Sequence, residues 1–397
     1  MNSKWKLSSL SLGVVASLAT GAAPGAPAPA CAMPRYTVTD LGVLGKGNNA
    51  TANDMNSIGW VAGQSNLVAN GPQHSFLWYG AGPLVDLGTL GGPNSGAGGP
   101  NLYGEAAVES ELAVKDPDNE DFCAFGTHLQ CRGAIWRYGK LTALPRLPGG
   151  RNSNAFEVNN LGQVIGFSEN GVRDPTCSKG TPSQVFRYEA VKWDSNGQIH
   201  ELRPLKGDTV AFAMGLNDLG QAVGSSGTCA TQGLPPGAVN GLHAVLWEAD
   251  GTPKDLGRFG DQNHAMSNNA SSINDLGDVV GTSEANDGSV HSFLWTRAKG
   301  RQDLGTLTPS AFLTVAGCCR TVNNRDEVVG FSIDPNGMSA FVWKDGKMRD
   351  LNTLIPANST LHLMGAYSIN DDGEIAGQGC VMPACTEMHA FRLSPKW

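Results

Sequence analysis

The densest group of possible metal-ligating oxygens is the acidic segment KDPDNEDF, at residues 115–122. It brings together Asp116, Asp118, Glu120 and Asp121. The calcium loop of an EF-hand needs oxygens at alternate positions and a closing Glu, and the recurring NDLG segments of this chain supply too few ligands. The acidic segment is richer, and two interpretations stay open for it: a calcium site, or a solvated acidic loop, which is the default. No metal ion or other cofactor is predicted.

A second candidate for metal chemistry is a recurring histidine, found at residues 74, 243, 291 and 389. It opens variants of the word HSFLW, which occurs at 74–78 and again at 291–295. Equivalent positions of a repeat lie too far apart to share one ion at ligand distances of ~2 Å. We therefore expect each histidine to make a structural hydrogen bond to a neighbouring strand or turn.

Motifs of common enzyme classes do not occur in the chain. There is no GxSxG, no HExxH and no phosphate-binding glycine loop. The glycine-rich stretch at 90–100 lacks the lysine of a P-loop, and the sequence predicts that 88–100 is a connector. No catalytic residue is predicted.

The cysteines indicate disulfides. Eight of them follow residue 32, an even number in a chain with an export signal. Short spacing pairs Cys123 with Cys131 and Cys380 with Cys385, and Cys177 and Cys229 occupy equivalent places in neighbouring repeats. The adjacent Cys318 and Cys319 either bond to each other or pair with separate partners, and both possibilities stay open.

The elements that must position these residues come from a repeat of about 50 residues. Relatives of HSFLW occur seven times, and a DLG-like word follows six of them. A turn segment of the type INDLGxVVG precedes each, with its Asn at 56, 101, 159, 217, 274, 323 and 370. Asn, Asp and Gly favour tight reversals, and the flanking segments are rich in β-branched and aromatic residues. Each repeat is therefore predicted to form four short antiparallel strands, which is typical of a propeller blade.

The two ends of the chain complete the pattern. A spare fourth-strand word, YTVTDLGVLG, stands at 36–45, and the seventh repeat lacks that word. The sequence predicts an all-β fold, a seven-bladed β-propeller of four-stranded antiparallel blades, closed where the N-terminal strand joins the last blade. Such closure leaves no open sheet edge.

The words HAF and HSF, together with INDLGxVVG and DLGTLGG, resemble the HAF-repeat family of bacterial extracellular repeat proteins. The resemblance spans residues 33–397. It implies export and a repeat fold, but no reaction and no catalytic residues, so none is carried over to this chain.

Composition and the N-terminus favour an exported globular protein. The net charge is −8 and no Lys/Arg cluster is visible, so nucleic acid is not an expected partner. Residues 1–32 resemble a secretory signal peptide, with cleavage after Ala30 or Ala32, and lipid attachment at Cys31 is the less favoured alternative. No other stretch is apolar enough to span a bilayer. We expect one secreted propeller domain at 33–397, a monomer.

The long second-to-third-strand loops of repeats 2, 3 and 4 (111–131, 169–188 and 227–242) are predicted to form one wall on one face. Binding residues usually lie on such loops. The candidate contacts are Asp118, Glu120, His128, Arg173 and Asp174. Their predicted role is to bind an extracellular ligand: a glycan, a peptide or cell-surface material. The alternative is a polysaccharide hydrolase or lyase, which a dense polar cluster at the mouth of the central channel would favour.

Overall fold

The computed structural model describes residues 35–180, 183–231, 243–260, 268–317 and 319–396. Within these ranges almost all regular structure is antiparallel β-sheet, which confirms the all-β class. No helix in them has the length and apolar character to cross a bilayer. The predicted signal peptide, Cys31, Cys318 and most of the fourth repeat's long loop lie outside the described residues.

The first half of the chain forms a lone strand and four units of four strands. The lone strand is β1 (Arg35–Gly42), and unit 1 contains β2 (Ala50–Met55), β3 (Val61–Asn66), β4 (Gln73–Trp78) and β5 (Val85–Gly88). Unit 2 contains β6 (Gly91–Pro100), β7 (Ala106–Lys115), β8 (Leu129–Arg137) and β9 (Lys140–Ala143), and unit 3 contains β10 (Ser153–Val158), β11 (Val164–Arg173), the short helix α1 (Cys177–Gly180), β12 (Phe186–Trp193) and β13 (Ile199–Leu202). Unit 4 contains β14 (Val210–Leu216), β15 (Ala222–Gly227), β16 (His243–Trp247) and β17 (Pro253–Asp255).

Three more units follow. Unit 5 contains β18 (Asn268–Ile273), β19 (Val279–Glu284), β20 (Val290–Thr296) and β21 (Gly300–Asp303). Unit 6 contains β22 (Leu313–Val315), β23 (Val328–Asp334), β24 (Gly337–Lys344), β25 (Lys347–Asp350) and a 3-10 turn (Leu351–Thr353). Unit 7 contains β26 (Leu361–Ile369), β27 (Ile375–Val381) and β28 (Met388–Lys396).

The repeat pattern predicts a separate four-stranded sheet for each unit, but some neighbouring units share a sheet. Units 1, 4 and 7 form four-stranded sheets, but units 2 and 3 share one eight-stranded sheet, as do units 5 and 6. Each junction is a single parallel bridge, Glu157 with Gly99 and Val290 with Leu313. Neighbouring units thus approach closely enough at these points for their backbones to pair.

The stretch 88–100, expected to be a connector, instead contains strand β6. Its glycines allow close approach: a Cβ on Gly98 would lie 1.5 Å from the carbonyl oxygen of Phe156, and one on Gly99 would lie 1.9 Å from Asp54 Oδ2. Composition favoured a loop because glycine is a weak strand former, but here the packing leaves no room for a larger residue.

Strand β1 supplies the missing fourth strand of unit 7. It pairs antiparallel with β28, from Arg35 opposite Lys396 to Gly42 opposite Ala390. A histidine–aspartate contact also joins the two strands, since His389 Nδ1 lies 2.9 Å from Asp40 Oδ1. Units 1 and 5 contain the same type of contact.

The repeated histidines pair with carboxylates, as expected for a structural role. His74 Nδ1 lies 2.9 Å from Asp86 Oδ1, and His291 Nδ1 lies 2.9 Å from Asp303 Oδ2. In unit 4 the partner is different: His243 bonds to Asp208, in the preceding connection, at 2.9 Å. Three of the four histidines that begin an HSFLW-type word are therefore joined to the Asp of a DLG word, in units 1, 5 and 7.

The apolar core lies largely between consecutive units. Trp193 of unit 3 shares a buried cluster with Ile135 of unit 2, and Trp78 of unit 1 shares one with Ala390 of unit 7. Large aromatic side chains bury much apolar area at such interfaces. Trp136 is half-buried, and the other five repeat tryptophans are buried: Trp78, Trp193, Trp247, Trp295 and Trp343.

The turn asparagine of each of units 1 to 6 makes two kinds of hydrogen bond. Its Oδ1 accepts the backbone N–H groups two and four residues later, which closes its own turn. Its Nδ2 donates to the backbone carbonyl of the asparagine in the next unit, at 2.9–3.2 Å. Six such links run in succession through Asn56, Asn101, Asn159, Asn217, Asn274, Asn323 and Asn370. Aspartate could close the turn but has no N–H to donate.

The substitution Asn217→Asp should therefore lower the free energy of unfolding by about 1–3 kcal/mol, because it removes the side-chain donor to the buried Asn274 carbonyl and to Gln221 Oε1. The Asn274 carbonyl then keeps only the N–H of Gly277. The same change at the exposed Asn196 should stay within about 0.5 kcal/mol. Urea unfolding of both variants provides the measurement. Equal midpoints for the two would show that the link between units contributes nothing.

Candidate ligand-binding site

The long loops of units 2 and 3 form a surface that we call the loop wall, made of residues 116–128 and the described part of 174–185. Both loops are shorter than predicted, because β7, β8, β11 and β12 extend into the predicted segments. The third predicted loop is described only to residue 231.

An aromatic and disulfide core supports the loop wall. Phe122, from the unit 2 loop, packs on Phe167 of unit 3 with ring centroids 5.0 Å apart. Tyr188 and Phe212 belong to the same buried cluster. A loop with its own apolar core is held in one conformation, unlike a solvated acidic loop.

The described residues contain three disulfides, with the pairings that short spacing and equivalent repeat positions predicted. They join Cys123 to Cys131, Cys177 to Cys229 and Cys380 to Cys385, with Cα separations of 5.4, 4.4 and 4.9 Å. The first two belong to the core below the loop wall, and the second links unit 3 to unit 4.

The centre of the loop wall is an ion-pair cluster around Asp118. Arg173 Nη2 lies 2.6 Å from Asp118 Oδ1, and Arg151 bonds to the other carboxylate oxygen. Both guanidinium groups lie over the ring of Phe186, at 4.8 Å and 5.2 Å from its centroid. The cluster joins the unit 2 loop to unit 3, and 57 % of the Arg173 side chain remains exposed.

Glu120 links the loops from below. Its Oε1 accepts the backbone N–H groups of Val185 and Phe186, at 2.6 and 3.0 Å. Burial raises the pKa of Glu120 to about 8, and the neighbouring Glu169 carboxylate contributes to the rise. The residue is fully buried, so it positions the loop wall, and its role as a ligand contact stays a prediction.

The remaining two candidates flank this cluster. His128 is partly exposed, and its Nδ1 lies 2.9 Å from the carbonyl oxygen of Asn119. Asp174 is largely buried. Hydrogen bonds from Thr176, and then the contact with Arg187 Nε at 2.8 Å, lower its pKa to about 2. It borders a cavity of about 440 Å³ at the edge of the loop wall.

The structure also contains a buried cluster that sequence reasoning missed. Arg320, between β22 and β23, points its guanidinium at two buried carboxylates: Nε lies 3.0 Å from Glu157, and Nη1 lies 3.5 Å from Asp54. It also donates to the carbonyl oxygens of Pro100 and Val158, at 3.0 and 3.1 Å. One side chain of unit 6 thereby contacts the first strands of units 1, 2 and 3.

The two carboxylates extend the network to further units. Asp54 Oδ1 accepts the hydroxyl of Ser368 in unit 7 at 2.7 Å, and Glu157 Oε2 accepts the backbone N–H of Leu216 in unit 4 at 2.8 Å. Burial raises the pKa of Asp54 and raises that of Glu157 to about 8, and in both cases Arg320 opposes the shift. One guanidinium cannot neutralise both acids, so the cluster favours holding a proton.

A cavity of about 90 Å³ opens beside this cluster. Arg320 lines it together with turn residues such as Asn160, Asp218 and Asp275, whereas Asp54 and Glu157 do not. A molecule in the cavity would therefore meet a guanidinium that is already bonded, and carboxylates such as Asp218 and Asp275 that already accept hydrogen bonds from Asn160 and from the backbone of Asp218. It would not meet Asp54 or Glu157.

No family model matches the chain, and no curated protein matches it. Among solved structures, it is similar to a gluconolactonase from Xanthomonas campestris, with 11 % identity, a TM-score of 0.38 and coverage of 95 % of this chain and 99 % of that one. A chain from the mitotic checkpoint complex matches with 13 % identity, a TM-score of 0.47 and coverage of 97 % and 99 %. The fucose-specific lectin of Aleuria aurantia matches with 14 % identity, a TM-score of 0.34 and coverage of 64 % and 76 %. Similarities at this level assign no activity to this chain.

Replacing Arg320 by Met should destabilise the protein by about 3–5 kcal/mol, because two buried carboxylates would lose their only guanidinium. Adding Asp54→Asn and Glu157→Gln should restore part of this loss. Chemical unfolding of the single and triple variants measures both effects. A single variant as stable as the wild type would contradict the structural role of Arg320.

Stability should fall as the pH rises from about 4.5 to 8. Glu157 has an ordinary pKa of 4.5 and a folded-state pKa of about 8, so over this window the unfolded chain ionises this acid while the folded chain keeps its proton. In the Glu157→Gln variant, the unfolding midpoint should decline less steeply with rising pH than in the wild type. The exposed Glu201→Gln variant serves as control, and an unchanged slope in Glu157→Gln would rule out this acid as a source.

Proposed function

We propose that this chain is a secreted, monomeric binding module of the HAF-repeat type, whose loop wall recognises an extracellular ligand. The loop wall carries the proposal: loops from consecutive units are fixed together by disulfides, an aromatic core and the Asp118 cluster. A surface held rigid before binding loses less entropy when the ligand arrives.

The architecture we propose for residues 33–397 is a closed seven-bladed propeller with four-stranded blades. It is supported by seven units of four antiparallel strands, by the pairing of β1 with β28, and by contacts between units 7 and 1. Among these contacts, Gln378 Nε2 lies 2.7 Å from Thr51 Oγ1. Four-stranded units that each pack on the next around an axis are typical of this architecture.

Export is supported by the disulfides, since such bonds persist in oxidising compartments. In this proposal residues 1–32 direct export and are removed, after Ala30 or Ala32.

The chemistry of the loop wall suits a polar extracellular ligand such as a glycan, and a peptide or other cell-surface material is the next choice. The 440 Å³ cavity is lined by Arg173, Asp174, Ser178 and Gln184, and by the apolar Pro175 and Val185. Donors and acceptors beside short apolar surfaces match the hydroxyl groups and C–H faces of sugars. The exposed Arg173 is the principal candidate contact, with Asp118, His128 and Asp174 around it.

The alternative function, a polysaccharide hydrolase or lyase, has one observation in its favour: the carboxyls of Asp54 and Glu157 have raised pKa values. Both residues are buried and neither lines the adjacent cavity. The binding module is therefore the better supported function.

An array of bacterial and plant polysaccharides and of extracellular peptides tests the proposal. The purified protein should bind at least one class, and Arg173→Ala should weaken that binding at least about tenfold, by removing an exposed, partly desolvated cation.

The matched control is Arg297→Ala, because Arg297 is 50 % exposed and also pairs with a carboxylate at 2.6 Å, that of Glu248. It should bind as the wild type does. Equal loss in both variants would place the site elsewhere. Release of reducing ends from a polysaccharide would instead support the enzyme.

A further inference from the structure

Unit 6 departs from the repeat at one position. In units 1, 5 and 7, the histidine that begins the HSFLW-type word bonds to the Asp of a DLG word. In unit 6 the corresponding word is SAFVW, so Ser339 stands where those units have the histidine. The next strand keeps the acid, because Asp350 lies opposite Phe341 just as Asp86 lies opposite Phe76 in unit 1. Asp350 therefore lacks the imidazole that its equivalents bind.

Three polar groups around this position have no partner among the described residues. Asp350 Oδ1 accepts the backbone N–H and the Nδ2 of Asn352, at 2.8 and 2.9 Å, but no group in the described part of the chain donates to Oδ2. Within the same residues, the guanidinium of the neighbouring Arg349 and the hydroxyl of Ser339 make no hydrogen bond or ion pair. All three side chains are half-buried. Polar groups that are partly removed from water and unpaired are costly, so a ligand that supplies the missing partners is favoured.

The same three residues, Ser339, Arg349 and Asp350, line a cavity of about 410 Å³, which we call the unit 6 cavity. His362 of unit 7 also lines it, and its Nε2 lies 3.2 Å from the carbonyl oxygen of Met338. The volume falls within the range of small-molecule sites, about 300–1,000 Å³. These polar residues belong to β24, β25 and β26, so strands and not loops fix their positions.

The unpaired groups indicate what kind of molecule fits. The carboxylate oxygen needs a donor and the guanidinium needs an acceptor, so a ligand must offer donors and acceptors close together. The adjacent hydroxyl groups of a sugar ring provide both. The side chains of Met338 and Met348 add apolar surface for the C–H face of such a ring. Two carboxylates, those of Asp334 and Asp350, stand against one guanidinium, that of Arg349, so the lining favours a neutral ligand over an anionic one.

We propose that the unit 6 cavity binds one neutral sugar residue, with Arg349 donating to a hydroxyl group and Asp350 and Ser339 accepting from others. The site is separate from the loop wall, which belongs to units 2 and 3, and it does not depend on the ligand of that surface. Ser339 leaves the cavity open, because a histidine at this position would fill part of the space and bond to Asp350, as its equivalents do in units 1, 5 and 7.

Saturation-transfer NMR on the full, disulfide-bonded chain tests the site, with D-glucose, D-galactose, D-mannose and D-xylose as probes. At least one of them should bind, with a Kd on the order of 1 mM. Ser339→His should weaken this binding at least about tenfold, while the Tm stays the same or rises. If no probe binds at about 20 mM, or if the variant binds as the wild type does, the proposal is wrong.

The matched control is Ser195→His, which makes the same change in an exposed turn of unit 3 and should bind as the wild type does. Arg173→Ala should also leave this binding unchanged, because it alters only the loop wall. Equal loss in Ser195→His would show only a general effect, and loss in Arg173→Ala without loss in Ser339→His would assign the sugar to the loop wall; either result overturns the proposal. If Ser339→His does not fold, Arg349→Met replaces it, with the same expected loss, because it removes the guanidinium and keeps an apolar stem.

Discussion

The primary amide of one asparagine per unit holds this structure in register. Its oxygen closes the turn between the first two strands, and in units 1 to 6 its nitrogen bonds to the next unit, so the same group sets the local geometry and the contact between units. Neither glutamine, which is longer, nor aspartate, which lacks a donor, could do both. The interfaces that bury the tryptophans need that fixed angle, because side chains interdigitate only where neighbouring sheets keep a constant separation. The turn segment with this asparagine therefore recurs in every unit because the geometry between units requires it. It forms the scaffold on which loops of different length are placed.

The two ends of the strands behave differently. At the turn end, the asparagine links and the Arg320 network already engage many of the polar side chains in bonds between units. At the other end, the second-to-third-strand loops vary in length, and units 2 and 3 have developed a core and ion pairs of their own. This division allows loop residues to change without disturbing the contacts that hold the units together. It is the physical reason for placing function on the loop wall.

The repeat predicted much of this, and its limits have physical causes. Hydrophobic words at constant spacing predicted the strands, the pairing of β1 with β28 and the Cys177–Cys229 disulfide, because each depends on a position within the repeat. Strand β6 was missed because propensity disfavours glycine, whereas close packing requires it. Arg320 was missed because only unit 6 has it, and its side-chain partners lie 162 and more residues away in sequence. His243 bonds to Asp208 and not to Asp255, the Asp of the DLG word in its own unit. This is likewise a tertiary contact that no repeat position encodes. For the candidate contacts, sequence gave the neighbourhood of Asp118 and Arg173 but not the burial of Glu120, which depends on a second loop.

The pairing of β1 with β28 also bears on how the chain folds. Strand β1 is synthesised some 350 residues before its partner, so its hydrogen bonds to β28 cannot form until β28 has been made. Until then, β1 and the edge of unit 7 are both unpaired, and such edges associate readily with other chains. Closing so long a loop also lowers the rate of the last folding step. A protein with this order of events gains from completing translation before it folds, which is the situation of a chain held unfolded until it has crossed a membrane.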